Sequence, residues 1–343
     1  MFHEVILEGE NIENYYFNSK ATAKKDKPRK FIEDKNGEIL EFIDEISKIS
    51  GIYKDEESFK QYIQQLMPGS FGIRFEFELA SSYFSKDDDE FYVVPNSVLK
   101  EYICKIPMIR GSNWKGILSA TGLKIIKEEL YCEDIPTDKI LENYMSMARI
   151  FGTGSENFRN LEKALNSFVE ENGKEKEEAL IQCLIKYALF DLGINIKIDK
   201  NGESIVEQIL EQIIENKNKA YSGLLTQKGR AIFYPTYFNQ LGFEVLKPSD
   251  RKVKKCANSN KKENSSPIFF EVVPKGNKGT FQMVYIPFDG VLETRKALES
   301  QQKKDFTFLK AIIERALSEK GIGAKTKIGW GRVKEWKEIK CIK

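Results

Sequence analysis

The chain has 343 residues, 41% of them apolar, with 54 basic and 52 acidic side chains and a net charge of +2, which suits one large globular domain or two modest ones. Its apolar runs are short and broken by charges, so no membrane span is expected, and the acidic start MFHEVILEGENIEN carries no secretory signal. A single histidine, His3, and five scattered cysteines without a CxxC pair argue against His-based catalysis, a zinc site or a disulfide framework, and for reduced thiols in a cytoplasm.

Taken in order, residues 1 to 30 bring Tyr15, Tyr16 and Phe17 beside the basic run Lys20 to Lys30, which fits either base stacking next to a backbone-binding patch or an arm anchored to the core. Ile39, Phe42, Ile43, Ile46 and Ile49 have helical spacing, and Ser58 to Met67 reads as a second short helix stopped by Pro68-Gly69. Phe71, Ile73, Phe75, Phe77 and Leu79 then alternate with Gly72, Arg74, Glu76 and Glu78, the period of a strand with one apolar face. An acidic turn from Asp87 to Glu90 and the short FYVVP stretch follow.

The segment IPMIRGSNWKGILSATG predicts a helix N-capped by Ser112, with Trp114, Ile117, Leu118, Thr121 and Ile125 on one face. Gly111, Ser112, Asn113 and Lys115 at its start suit a phosphate, because free N–H groups and the helix dipole converge there; an ordinary capped helix has the same appearance. From about 140 to 218 the pattern is mostly helical, interrupted by IFGTGSEN and GINIKIDKNGES, and reads as an insertion on a mixed core. RAIFYPTYF (230 to 238) is a strand whose Pro235 favours an edge or a bulge. After the basic, polar stretch Lys247 to Lys262, SPIFFEVVP and TFQMVYIP joined by KGNKG predict a hairpin.

Phe306, Leu309, Ile312, Ile313, Ala316 and Leu317 form an amphipathic helix that runs into KGIGAKTKIGWGR, after which Ile328 to Trp336 is expected as a closing strand. Gly321, Gly323, Gly329 and Gly331 let the backbone turn tightly and lie close to a ligand, and Lys325, Lys327 and Arg332 supply charge for phosphate. A P-loop needs a strand before and a helix after its Gly-Lys-Ser/Thr, and a dinucleotide site needs a following helix; the order here is helix, loop, strand. No bound cofactor is therefore expected. Trp330 fits either a base stack or the core.

Without the helical middle the order is strand, helix, two strands, helix, glycine loop, strand. The fold class expected is α+β, a ferredoxin-like (RRM-like) βαββαβ core with a large helical insertion at about 140–218 and a C-terminal glycine-rich loop. Residues 1–70 are an N-terminal arm and helical extension, and 71–343 the main domain.

Four stretches, IPMIRGSNWKG, IFGT, RAIFYPTYF and GIGAKTKIGWGR, resemble the RAMP superfamily, the RNA-binding subunits of CRISPR effector complexes. The last is similar in form to the sixth subunit of type III-B (Cmr) complexes. Arg110 stands where the family usually has proline, and Asn113-Trp114 replaces a small-then-aliphatic pair. The resemblance implies a non-catalytic, cytoplasmic subunit that binds the 3′ part of a CRISPR RNA, supports target RNA binding and assembles with other RAMP subunits. It implies RNA contact at Ser112, Asn113 and Lys115, and at Gly321, Gly323, Lys325, Thr326, Lys327, Gly329, Gly331 and Arg332. The enzymatic rival is a RAMP-type metal-dependent endoribonuclease, for which Asp87, Asp88 and Asp89 are the obvious acidic cluster.

Overall fold

A computed structural model of the chain describes residues 39, 42–87, 96–132, 135–154, 228–246, 268–289 and 294–343, with isolated positions between 156 and 212. The expectations for residues 1–30, FYVVP, Asp88, Asp89, the basic stretch 247–262 and most of 157–217 lie outside these residues. The elements in order are α1 (Glu56–Gln64), β1 (Phe71–Leu79), β2 (Met108–Ile109), α2 (Gly111–Leu130), α3 (Thr137–Phe151), β3 (Ala231–Phe233), β4 (Thr236–Tyr237), β5 (Gly242–Leu246), β6 (Ile268–Val272), β7 (Lys278–Tyr285), α4 (Arg295–Arg315) and β8 (Val333–Lys334).

β1 is the strand its alternation predicts, because the side chains of Phe71, Ile73, Phe75, Phe77 and Leu79 are all buried on one face. It pairs antiparallel with β7 from Phe71↔Tyr285 to Glu78↔Lys278, and β3 and β8 complete a mixed α+β core around an antiparallel sheet of order β3-β7-β1-β8. β3 is an edge strand, as Pro235 predicts, but the run 230 to 238 is not one strand: it breaks ahead of Pro235, and β4 turns away to pair with β2. The apolar face of the sheet packs against Trp114, Leu118 and Ile126 of α2, Tyr144, Met147 and Ile150 of α3, and Leu309, Ile312 and Ile313 of α4 in one cluster. Each such side chain stabilises the fold by about 1.5–3 kcal/mol on burial. Thr137–Phe151 thus contributes to the main core.

The opposite face is covered at one end by α1, whose N-cap Asp55 accepts the Ser58 N–H at 2.7 Å. Phe59 and Ile63 lie over Gly72, where a Cβ would stand 2.5 Å from the Phe59 ring. Residues 42–49 are helical and bury Ile46, but Ile49, expected on the buried stripe, is 79% exposed.

Two expectations need correction. SPIFFEVVP and TFQMVYIP do not form a hairpin: β6 pairs with β5, while both edges of β7 are taken by β1 and β3. The KGNKG turn docks on the end of β1 instead, with the Gly276 N–H donated to Leu79 O and the Leu79 N–H to Asn277 O, each at 2.9 Å. The closing strand is only two residues long, because positive φ at Gly331 (72°) and Glu335 (53°) breaks the extended backbone on either side.

A buried polar cluster ties the helices to the sheet. Arg149 of α3 pairs with Asp305 of α4 at 2.6 Å, the Tyr285 hydroxyl donates to the same carboxylate at 2.5 Å, and Arg230 donates to Tyr285 at 3.0 Å and reaches Asp289 at 2.6 Å. Buried charges are tolerated when paired and hydrogen-bonded in this way.

Candidate nucleic-acid interface

The first candidate turn lies between β2 and α2. Ser112, expected as the N-cap, is instead the second residue of the helix, and Arg110 takes the N-cap position with no side-chain hydrogen bond. The reason is a close approach: a Cβ on Gly111 would lie 2.1 Å from the Phe233 carbonyl oxygen, so the helix begins where the chain passes beneath β3. The Asn113 and Trp114 N–H groups both return to Arg110 O, at 2.9 and 3.2 Å. Trp114 is fully buried, donates Nε1–H to Thr236 Oγ1 at 3.0 Å and meets Phe281 edge-on at 4.9 Å. That anchor leaves Ser112 exposed and Asn113 and Lys115 half-buried. The Lys115 amine has no carboxylate partner among the described residues, and partial burial lowers its pKa.

The second turn is the glycine loop. α4 ends in a π-helical turn, Ala316–Lys320, closed by the Gly321 N–H to Ala316 O at 3.1 Å. The loop then has a neck and a crest. In the neck, Ile322 N–H donates to Gly331 O at 2.8 Å, Gly331 N–H to Ser82 O at 2.8 Å, Ala324 N–H to Phe84 O at 2.7 Å and Arg332 N–H to Ser81 Oγ at 2.8 Å. Three glycines belong to this neck: a Cβ would lie 2.8 Å from Gly331 O at Gly321, 2.4 Å from Phe84 O at Gly323 and 1.8 Å from Ile322 O at Gly331. They approach their own chain.

The crest runs from Lys325 to Trp330. Lys325 is left-handed (φ 62°), Thr326–Ile328 form one 3-10 turn, and Gly329 (φ 93°) has nothing within 4 Å of where a Cβ would stand. The N–H groups of Lys325, Thr326 and Lys327 have no acceptor among the described residues. Lys325 Nζ stands 5.6 Å over the Phe270 ring, and Lys327 and Arg332 are exposed without a carboxylate partner among the described residues. Trp330 is 7% exposed and meets Phe270 and Phe84 edge-on at 5.4 and 6.0 Å, so it fills the core.

The structure therefore joins the eight predicted loop residues into one unit and the three helix-start residues into another. Sequence reasoning missed the segment that holds the loop, Ala80 to Phe84, since SSYF carries no periodicity or motif. Of the acidic cluster, Asp87 is buried and its carboxylate accepts the Lys100 N–H at 3.2 Å. No group of three or more metal-capable side chains occurs among the described residues, and no helix there is long and apolar enough to cross a membrane.

This arrangement coincides with a family match: the model of the RAMP superfamily aligns with residues 76–334, from within β1 to the end of β8. The chain belongs to the RAMP superfamily. Both candidate turns of this RAMP protein fall inside the matched region, as does the clamping segment Ala80 to Phe84. Among solved structures it is similar to Cmr6 from Pyrococcus furiosus, at 16% identity and a TM-score of 0.32, covering 79% of this chain and 99% of that one. A type III-B Cmr-beta complex bound to cognate target RNA gives 13% identity and a TM-score of 0.35 over 96% of this chain and 81% of that one. A type IV-B CRISPR complex gives 12% and 0.36 over 78% and 90%. No curated protein matches the chain.

Proposed function

We propose that this RAMP protein is a non-catalytic RNA-binding subunit of a type III CRISPR ribonucleoprotein effector, acting in antiviral defence in the cytoplasm. In this role it holds the 3′ part of the CRISPR RNA, supports target RNA binding and touches other RAMP subunits. The observation that carries the reading is the crest of the glycine loop. There, N–H groups without an acceptor among the described residues and the cations Lys325 and Lys327 project from a neck fixed to the rest of the fold, with the exposed Arg332 beside them. Such a surface suits a sugar-phosphate backbone and carries no base code.

The strand order β3-β7-β1-β8, with α2 after β1 and α4 after β7, supports a ferredoxin-like βαββαβ frame, the architecture of RNA-recognition modules. In those modules the open sheet face stacks bases. Here that face lies under α1 at one end and carries paired charges at the other, Lys334 with Glu78 at 2.9 Å and Lys337 with Glu76 at 3.8 Å. Both features favour RNA at the two turns over RNA on the sheet.

A salt titration of single-stranded RNA binding tests the reading. Neutralising Lys325 and Lys327 together is expected to flatten the dependence of log K on log salt by about 0.7 for each phosphate that the loop no longer neutralises. A slope unchanged by the double substitution removes the loop from the interface.

A further inference from the structure

Between the glycine loop and the strand that leads into α2 stands one residue that neither motif contains. Tyr83 is fully buried, and its backbone exchanges both hydrogen bonds with Val273 at 2.9 Å, fixing it to the chain just beyond β6. Its ring packs against Gly323: a Cβ there would lie 2.6 Å from one ring-edge carbon and 3.0 Å from the next. The same ring leans on Phe238 at 5.5 Å, and its hydroxyl points at the Met108 carbonyl, 3.4 Å away, on the strand that leads into Arg110 and α2. The residues on either side, Ser82 and Phe84, accept the two neck hydrogen bonds from Gly331 and Ala324.

We propose that Tyr83 is a positioning residue that sets the spacing between the start of α2 and the glycine loop, so that both turns meet one RNA strand in a single register. The inference rests on the RNA-binding reading above. The aromatic plane touches the loop at Gly323 and, on its other side, Phe238, whose N–H is held by Pro107 O at 2.9 Å on the segment that leads into α2, so position is transmitted by touch through the ring. The hydroxyl lies at the long end of hydrogen bonding and contributes less. Spacing matters because each phosphate held adds a fixed increment to the salt slope only while both turns reach the same strand at once.

The test uses the full chain and a labelled single-stranded RNA of mixed sequence, with binding measured across a salt series and folding followed by circular dichroism. Tyr83→Leu keeps every cation but removes the ring plane; the expected result is about tenfold weaker binding and a slope flatter by about one, since a turn out of register releases its phosphates. Tyr83→Phe retains the plane and is expected to restore the wild-type slope, with affinity within about twofold. Tyr83→Met fills more of the ring's length than leucine but has no plane, and is expected to flatten the slope like Tyr83→Leu. It serves as the readout if the leucine variant does not fold. A folded Tyr83→Leu or Tyr83→Met protein with wild-type slope and affinity overturns the proposal. Wild-type behaviour of the Lys325 and Lys327 double variant would instead overturn the RNA reading of the loop, so the two failures are distinct.

Discussion

The neck and the crest of the glycine loop are adjacent and alike in composition, yet they differ in where their polar groups go. In the neck the N–H groups of Ile322, Ala324, Gly331 and Arg332 all end on this chain, and the glycines are required because backbone oxygens lie within 1.8–2.8 Å of their missing Cβ positions. In the crest the N–H groups from Lys325 to Lys327 end on nothing among the described residues, and Gly329 faces open space. Glycine therefore has two uses within one motif: three positions build the loop, and one leaves room beside it.

The contrast is sharpest under substitution. Gly331→Ala combines positive φ with a Cβ pressed against Ile322 O, and is expected to destabilise the protein by about 3 kcal/mol, read as a lower denaturant midpoint with RNA binding abolished in parallel. Next in size, Lys325→Ala with Lys327→Ala leaves the midpoint in place and acts on RNA alone, the reverse pattern. Gly329→Ala is expected to lower stability by only about 1 kcal/mol, from its left-handed backbone, and to weaken RNA binding by more than that loss explains. Equal losses of stability and binding at Gly329 would merge neck and crest into one class.

The smallest expected effect lies at the other turn. Partial burial lowers the Lys115 pKa, so between that value and the ordinary one the unfolded chain holds more protons, and stability rises with pH through that window. A bound phosphate favours the charged amine and works in the opposite direction, so RNA affinity falls as pH rises through the same window. Lys115→Met is expected to weaken both trends, leaving the share of the stability trend that the similarly lowered Lys320 contributes, which thermal melts and binding at several pH values would check.

Much of this frame was legible in the chain. The alternation of Phe71 to Leu79, the helical stripes ending at Ile125 and Leu317, and the edge character of β3 ahead of Pro235 all follow from local period and backbone chemistry. The glycine loop was legible as a motif, but not the division of labour within it, because a glycine forced by a neighbouring backbone has the same letter as one left open. Long-range choices were hidden. Nothing local in SPIFFEVVP says that β6 prefers β5 to β7, and Arg149 and Asp305 meet across 156 positions of sequence. The Ser112 cap was misread for the same reason, since Phe233, which dictates the start of α2, lies far along the chain.

The π-helical turn at Ala316–Lys320 has a consequence for how this region tolerates insertions and deletions. A π turn carries one residue more than an α turn, and each residue of an α-helix advances the direction of the chain by about 100°. Deleting a single residue there would let the backbone relax into regular α-helix and improve its local hydrogen bonding. Because the wider turn takes one more residue to complete the same rotation, that deletion would leave Gly321 facing nearly the same way, towards the carbonyls of Ser82 and Phe84. The surplus residue is absorbed within the turn, so a one-residue deletion that would redirect the loop by about 100° in an ordinary helix is expected to be tolerated here.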